Sequence, residues 1–125
     1  MKWYRKTKRK RENTMTIINL TPHDVKICND GGEVVATYPK SGTVARVATN
    51  KQIIGEIDGV VIKAVSYGAI DNLPTPADGV VYIVSMVVAQ AARGRSDLVS
   101  PDTAPDAAVR DAAGLIVGVK NFARY

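Results

Sequence analysis

Between Thr16 and Ile70 apolar and polar residues alternate with a period of two, and β-branched residues recur throughout. This is the pattern of half-buried strands, not of helices. TIINL (16–20) opens as a strand. DVKIC (24–28), the Gly-containing turn NDGG, and EVVATY (33–38) form a hairpin signal. TVARVAT (43–49) is a further strand. QIIGEI, Asp58-Gly59 and VVIKAV make the strongest hairpin, because Asp-Gly takes the positive φ angles of a tight turn. LPTPADG (Leu73–Gly79) holds two prolines and reads as a connection.

The run VVYIVSMVVAQAAR, Val80–Arg93, changes character half-way. Its first half is β-branched; its second half holds Met, Ala and Gln, which are better helix formers. It predicts a buried strand to about Val84, then a helix to about Arg93 stopped by Gly94. One central strand is the alternative, since period alone does not separate short apolar runs. A helix apolar on all sides must be buried, and a body of about 110 residues gives little depth for it. A second copy of the chain solves this, so a homo-oligomer with the helix in its interface is expected. The fold class expected is α+β: a small antiparallel β-sheet and hairpin body with a buried helix used for dimerisation. DAAVR (Asp106–Arg110) reads as a helical turn started by its carboxylate. RDAAG and LIVGV read as a turn into a last strand.

Charge divides the chain. Residues 1–14, MKWYRKTKRKRENT, carry seven of the 17 basic residues and one of the 12 acidic ones. The remainder has ten basic and eleven acidic residues, so the formal charge of +5 resides in the head. We read 1–14 as a basic N-terminal extension without packing partners and 15–125 as a single ligand-binding domain; the sequence leaves translation from Met1 and from Met15 both open. No apolar segment follows the basic residues as in a secretory signal. The nearly uncharged run Gly79–Ala92 is too short to span a bilayer, so no membrane partner is expected. One cysteine, Cys28, excludes an internal disulfide and fits a reducing cytoplasm.

Catalytic equipment is sparse. The single histidine, His23, sits in the turn-like TPHD, where such a residue usually bonds its neighbours. One Cys and one His cannot make a zinc site. Gly31-Gly32 lacks the strand-to-helix setting of a phosphate loop. No catalytic residue, metal or cofactor is therefore assigned. Anion binding is better served. Arg93 and Arg95 bracket Gly94, Arg110 precedes Asp111, and Arg46 follows the flexible Ser41-Gly42-Thr43. Arginine forks match phosphate, and carboxylates orient them. Tyr67, Tyr82 and Phe122 are aromatic faces on which a base could stack.

The segments INLTPHDVKI (18–27), YPKSGTVARV (38–47), YGAIDNLPTPADGVVYIVSMVVAQA (67–91), RSDLVSPDT (95–103) and VRDAAGLIVGVKNF (109–122), taken in order, resemble the first, sponge type of phage Thoeris anti-defence proteins. The resemblance covers nearly all of Met15–Tyr125. It implies a protein that binds, without cleaving, the glycocyclic ADP-ribose isomers made by the Thoeris sensor, in the cytoplasm of the infected bacterial host. It implies dimers that can assemble into hexamers, and in some members a separate site for cyclic di- or trinucleotides. Carried over by position, Arg110 becomes the pyrophosphate clamp, with Arg95 and Arg93 next, Asp97 or Asp111 on ribose hydroxyls or holding the arginines, and Tyr82 as a stacking face. Arg46, Ser41 and Thr43 become the second site. Val99–Lys120 is then a lid or wall over the ligand. Three other readings compete: a nucleic-acid-binding protein using the basic head, a structural phage protein with no ligand, and, least supported for want of catalytic groups, an enzyme that cleaves the cyclic signal.

Overall fold

The computed structural model describes residues 15–125; the basic segment 1–14 lies outside them. Two four-stranded sheets form the body. The first has the order β1 (Thr16–Asn19), β6 (Val80–Ile83), β7 (Leu98–Pro101), β10 (Phe122–Ala123). In it β1, β6 and β7 run parallel, and β10 closes the edge antiparallel to β7. The central strand β6 is the β-branched half of the apolar run, as expected of a strand covered on both faces. The second sheet has the order β3 (Val34–Tyr38), β2 (Val25–Cys28), β9 (Ile116–Val119), β8 (Ala108–Arg110). Here β2–β3 and β8–β9 are antiparallel pairs joined by a parallel contact at Ile27 and Val119. That contact is close. A Cβ at Gly118 would stand 2.6 Å from the Cys28 sulfur and 3.0 Å from the Lys26 carbonyl, so only glycine fits. Tyr38 and Phe122, with ring centres 5.8 Å apart, bridge the two sheets.

The third unit is a long hairpin of β4 (Arg46–Ile57) and β5 (Val60–Asp71). Asp58 (φ 51°) and Gly59 (φ 81°) make its tip, both with the positive φ that the sequence predicts. TVARVAT and QIIGEI are not separate strands. The polar stretch Thr49–Gln52 between them pairs with Ala64–Tyr67, and because the ribbon is solvated there, polar residues do not break it.

The expected fold class is corrected by this architecture. The described residues are mainly strand, with parallel pairs in both sheets, and the one helix is α1 (Met86–Ala91), six residues long. It starts where Ser85 caps it, the hydroxyl accepting from the Val88 N–H at 3.3 Å. It ends at Ala91 with Ala92 as its cap, close to the expected stop, and Gly94 follows at φ 102°. It is not buried all round. Val88 and Ala89 enter a core with Leu20, Ala45, Tyr82, Val84 and Leu98, whereas Met86 and Val87 remain 45% and 40% exposed. The chain's own body therefore covers its inner face, and the physical reason for a dimerisation helix is gone. DAAVR also differs. Ala107 and Ala108 both donate to the Ala104 carbonyl in a single turn, and Ala108–Arg110 then pair with β9. The carboxylate at the start of that turn is Asp102, which accepts from the Ala104 N–H at 3.0 Å. Among the described residues no helix is long and apolar enough to cross a membrane.

Candidate functional site

The segment INLTPHD is organised by one buried side chain. Asn19, 2% exposed, accepts from the Thr21 N–H at 2.9 Å, lies 2.7 Å from the Thr21 hydroxyl, and donates to the carbonyls of His23 (2.8 Å) and Tyr38 (2.9 Å). All hydrogen-bonding capacity of the amide is engaged, as burial demands. The result is a tight 20–24 turn tied to the end of β3. Asp24 extends the tie by accepting from the Lys40 N–H at 2.9 Å.

This turn forms one wall of a cleft of about 450 Å³. The first residues of β2, the Ser85–Met86 start of α1, the end of β7 with Thr103, and β9 complete it. The cleft thus lies where elements of both sheets meet. Its sides are largely apolar (Val25, Met86, Ile116, Val119); its polar residues are Thr21, His23, Asp24, Lys26, Ser85, Ser100 and Thr103, so that one carboxylate and one ammonium share the lining. Size and lining are those of a small-molecule site. Val99–Lys120 lines it through Ser100–Thr103 and Ile116–Val119, so this segment is a wall, fixed by strand pairing at both ends. Asp102 steadies it by accepting from the Asn121 amide at 2.8 Å, and these hydrogen bonds hold the Asp102 carboxyl below the usual carboxylate range.

None of the nine residues nominated from sequence lines this cleft. Arg110 pairs across the strands with Ile116, which does line it, and its guanidinium donates to the Gly114 carbonyl at 2.7 Å. Asp111 accepts from the N–H groups of Ala113 and Leu115 and so shapes the β8–β9 turn. Arg95 and Asp97 form a two-pronged ion pair (2.9 and 2.5 Å), and Arg95 also donates to the Pro74 carbonyl at 3.0 Å. The Arg95 hydrogen bonds hold the Asp97 carboxyl below its ordinary value, and the same bonds raise the Arg95 pKa. This pair staples the α1–β7 turn to the proline-rich connection. Tyr82 is 5% exposed inside the core, so its ring offers no open stacking face in this structure. Arg93 is exposed just beyond α1.

At the second nominated site, Arg46 lines a smaller cleft of about 270 Å³ beside Val87 and Val88. Ser41 and Thr43 stand apart from that lining and bond each other instead, the Ser41 hydroxyl lying 3.2 Å from the Thr43 carbonyl. Sequence reasoning missed Lys26, Met86 and Thr103. Lys26 reads as the polar partner in an alternating strand, and only its place within INLTPHDVKI singles it out. Among the described residues no group of three or more His, Cys, Asp or Glu side chains is arranged to hold a metal ion. No protein-family model, curated protein or solved structure matches the chain.

Proposed function

We propose that the protein is a sponge: it binds and sequesters, without cleaving, a cyclic ADP-ribose-type signal, and so blocks Thoeris immunity in the cytoplasm of the phage-infected host. The observation that carries this reading is the cleft between the sheets. Its volume suits a nucleotide-sized ligand, its apolar walls suit a base and ribose faces, and its cationic group, Lys26, suits a pyrophosphate. The lining contributed by Ser100, Pro101, Thr103 and Ile116–Val119 supports giving the Val99–Lys120 segment the part of a wall over the ligand. The ligand site is thereby moved from the Arg93–Asp97 region, where Arg95 and Asp97 already satisfy one another, to the face of β2 and β9. Arg110 stands outside this lining, one strand from Ile116, and would reach a phosphate oxygen only by exchanging its Gly114 carbonyl for it. Hydroxyls at Ser85 and Thr103 are available to ribose.

Calorimetric titration of the protein with purified cyclic ADP-ribose isomers tests the reading. Saturable binding that Lys26→Ala weakens at least tenfold, with thermal stability unchanged, is expected. Equal affinity in Lys26→Ala, or no heat with any isomer, contradicts it.

A further inference from the structure

The smaller cleft, of about 270 Å³, has an apolar floor and one unmatched charge. Its floor is the core itself: Leu20, Ala45 and Val88 line it and are each no more than 3% exposed. Its hydroxyls are already engaged, that of Thr21 with Asn19 and the His23 carbonyl, that of Ser85 with the Val88 N–H. Arg46 is the single charged residue of the lining, whereas Asp24 and Lys26 bring both signs to the larger cleft. The backbone leading to Arg46 is tied down. The Ala45 N–H donates to the Leu20 carbonyl at 3.0 Å, and the Asn72 amide donates to the Val44 carbonyl at 3.1 Å. Asp71 stands opposite Arg46 across the root of the hairpin, yet it lies outside the lining. Among the described residues the ion pairs are Arg95 with Asp97 and Lys120 with Asp30, so the Arg46 guanidinium keeps its fork of donors for an anion from outside the chain.

We propose that this cleft is a second binding site, for a small organic monoanion with an apolar body: a carboxylate on a short alkyl or aryl chain. A guanidinium takes a carboxylate with two parallel hydrogen bonds. The body then rests on Leu20, Ala45 and Val88 and removes apolar surface from water. Volume sets the size. Sites for drug-sized ligands begin at about 300 Å³, so this one takes a smaller molecule. A cyclic di- or trinucleotide, which the resemblance implies near Arg46, brings two or three phosphates to one arginine, and sugars to a lining whose hydroxyls are engaged. Ser41 and Thr43, which would have helped to hold it, are outside that lining. Thr21, Pro22 and Ser85 line both clefts, so the two sites share a wall without sharing a cation. The small site stands whatever the large cleft holds.

Two-dimensional amide NMR of the full chain, titrated with phenylpropionate, tests this. Saturable shifts are expected at the amides of Ala45, Arg46, Val87 and Val88, with a Kd on the order of 1 mM for a ligand of this size. The neutral phenylpropionamide, which lacks the charge, and acetate, which lacks the body, are each expected to bind at least tenfold more weakly. Arg46→Gln is expected to weaken phenylpropionate at least tenfold. Val87→Glu, which sets a competing carboxylate at a rim position that is 40% exposed, is expected to do the same with the rest of the spectrum unchanged. Equal binding of the amide, equal binding of acetate, or native affinity in Arg46→Gln overturns the proposal. So does the absence of any shift, or shifts at Lys26, Ile116 and Val119 in place of those named. Displacement of phenylpropionate by a cyclic dinucleotide overturns it as well, by returning the cleft to a larger ligand.

Discussion

Replacing Asn19 by alanine removes one small side chain and four hydrogen bonds. Two of them end at Thr21 and two at the carbonyls of His23 and Tyr38. The Thr21 hydroxyl keeps a partner, because it also lies 2.9 Å from the His23 carbonyl. The Thr21 N–H loses its acceptor in a site that is 8% exposed, and an orphaned buried N–H costs about 1–3 kcal/mol. Two further lost bonds at about 1 kcal/mol each bring the expected loss to about 3 kcal/mol. For a domain of this size that lowers the melting temperature by about 12 °C. Thr21→Val, which exchanges the hydroxyl for a methyl group facing the Asn19 amide and the His23 carbonyl, should cost about 1–3 kcal/mol. Thermal unfolding followed by circular dichroism reads both changes, and hydrogen exchange at the Thr21 amide reports the turn directly. A melting temperature within about 3 °C of native for Asn19→Ala, with Thr21 protection unchanged, refutes the claim that this amide holds the 20–24 turn.

Gly118→Ala drives a methyl group into the Cys28 sulfur and the Lys26 carbonyl, and should destabilise by about 1–3 kcal/mol in urea unfolding; Cys28→Ala in the same chain should recover part of the loss, since it removes the nearer obstacle. Because Arg95 lowers the folded-state pKa of Asp97, the pair's stabilisation is whole above the ordinary aspartate range and is lost as the pH falls through the lowered value. Asp97→Asn should therefore cost about 1 kcal/mol at neutral pH and flatten the fall in stability below about pH 4, measured by denaturation at a series of pH values. Arg110→Ala should weaken binding of a cyclic ADP-ribose isomer while leaving the sedimentation profile unaltered; unchanged affinity removes Arg110 from the site.

What could be read from sequence was what neighbouring residues decide. Asp58-Gly59 and the Asn29–Gly32 turn carry their own backbone requirements, so both hairpins were legible, and so was the proline-rich connection. Parallel pairing of β1, β6 and β7, and of β2 with β9, joins segments far apart in the chain, and no local spacing encodes it. The helix itself was legible close to its bounds, since it stops at Ala91 and runs into a turn before Gly94; composition did not show that Met86 and Val87 would stay exposed. The candidate site failed to appear for a related reason. Arginines attract attention by charge, yet Arg95 is matched by Asp97 and the Pro74 carbonyl, and Arg110 by the Gly114 carbonyl. Lys26 and Met86 meet only when the two sheets fold together. Asn19 looks like an ordinary polar residue until its burial shows that it fixes the turn carrying His23.

The most direct test of the sponge reading is to learn what the protein keeps. Purified protein is mixed with the small-molecule filtrate of a Thoeris sensor reaction, washed, heat-denatured, and the released molecules are separated by chromatography with mass detection. The account predicts an intact cyclic ADP-ribose isomer, released by the native chain and much reduced with Lys26→Ala. Release of linear ADP-ribose contradicts it by making the protein an enzyme, and release of nothing contradicts it by leaving the cleft without this ligand.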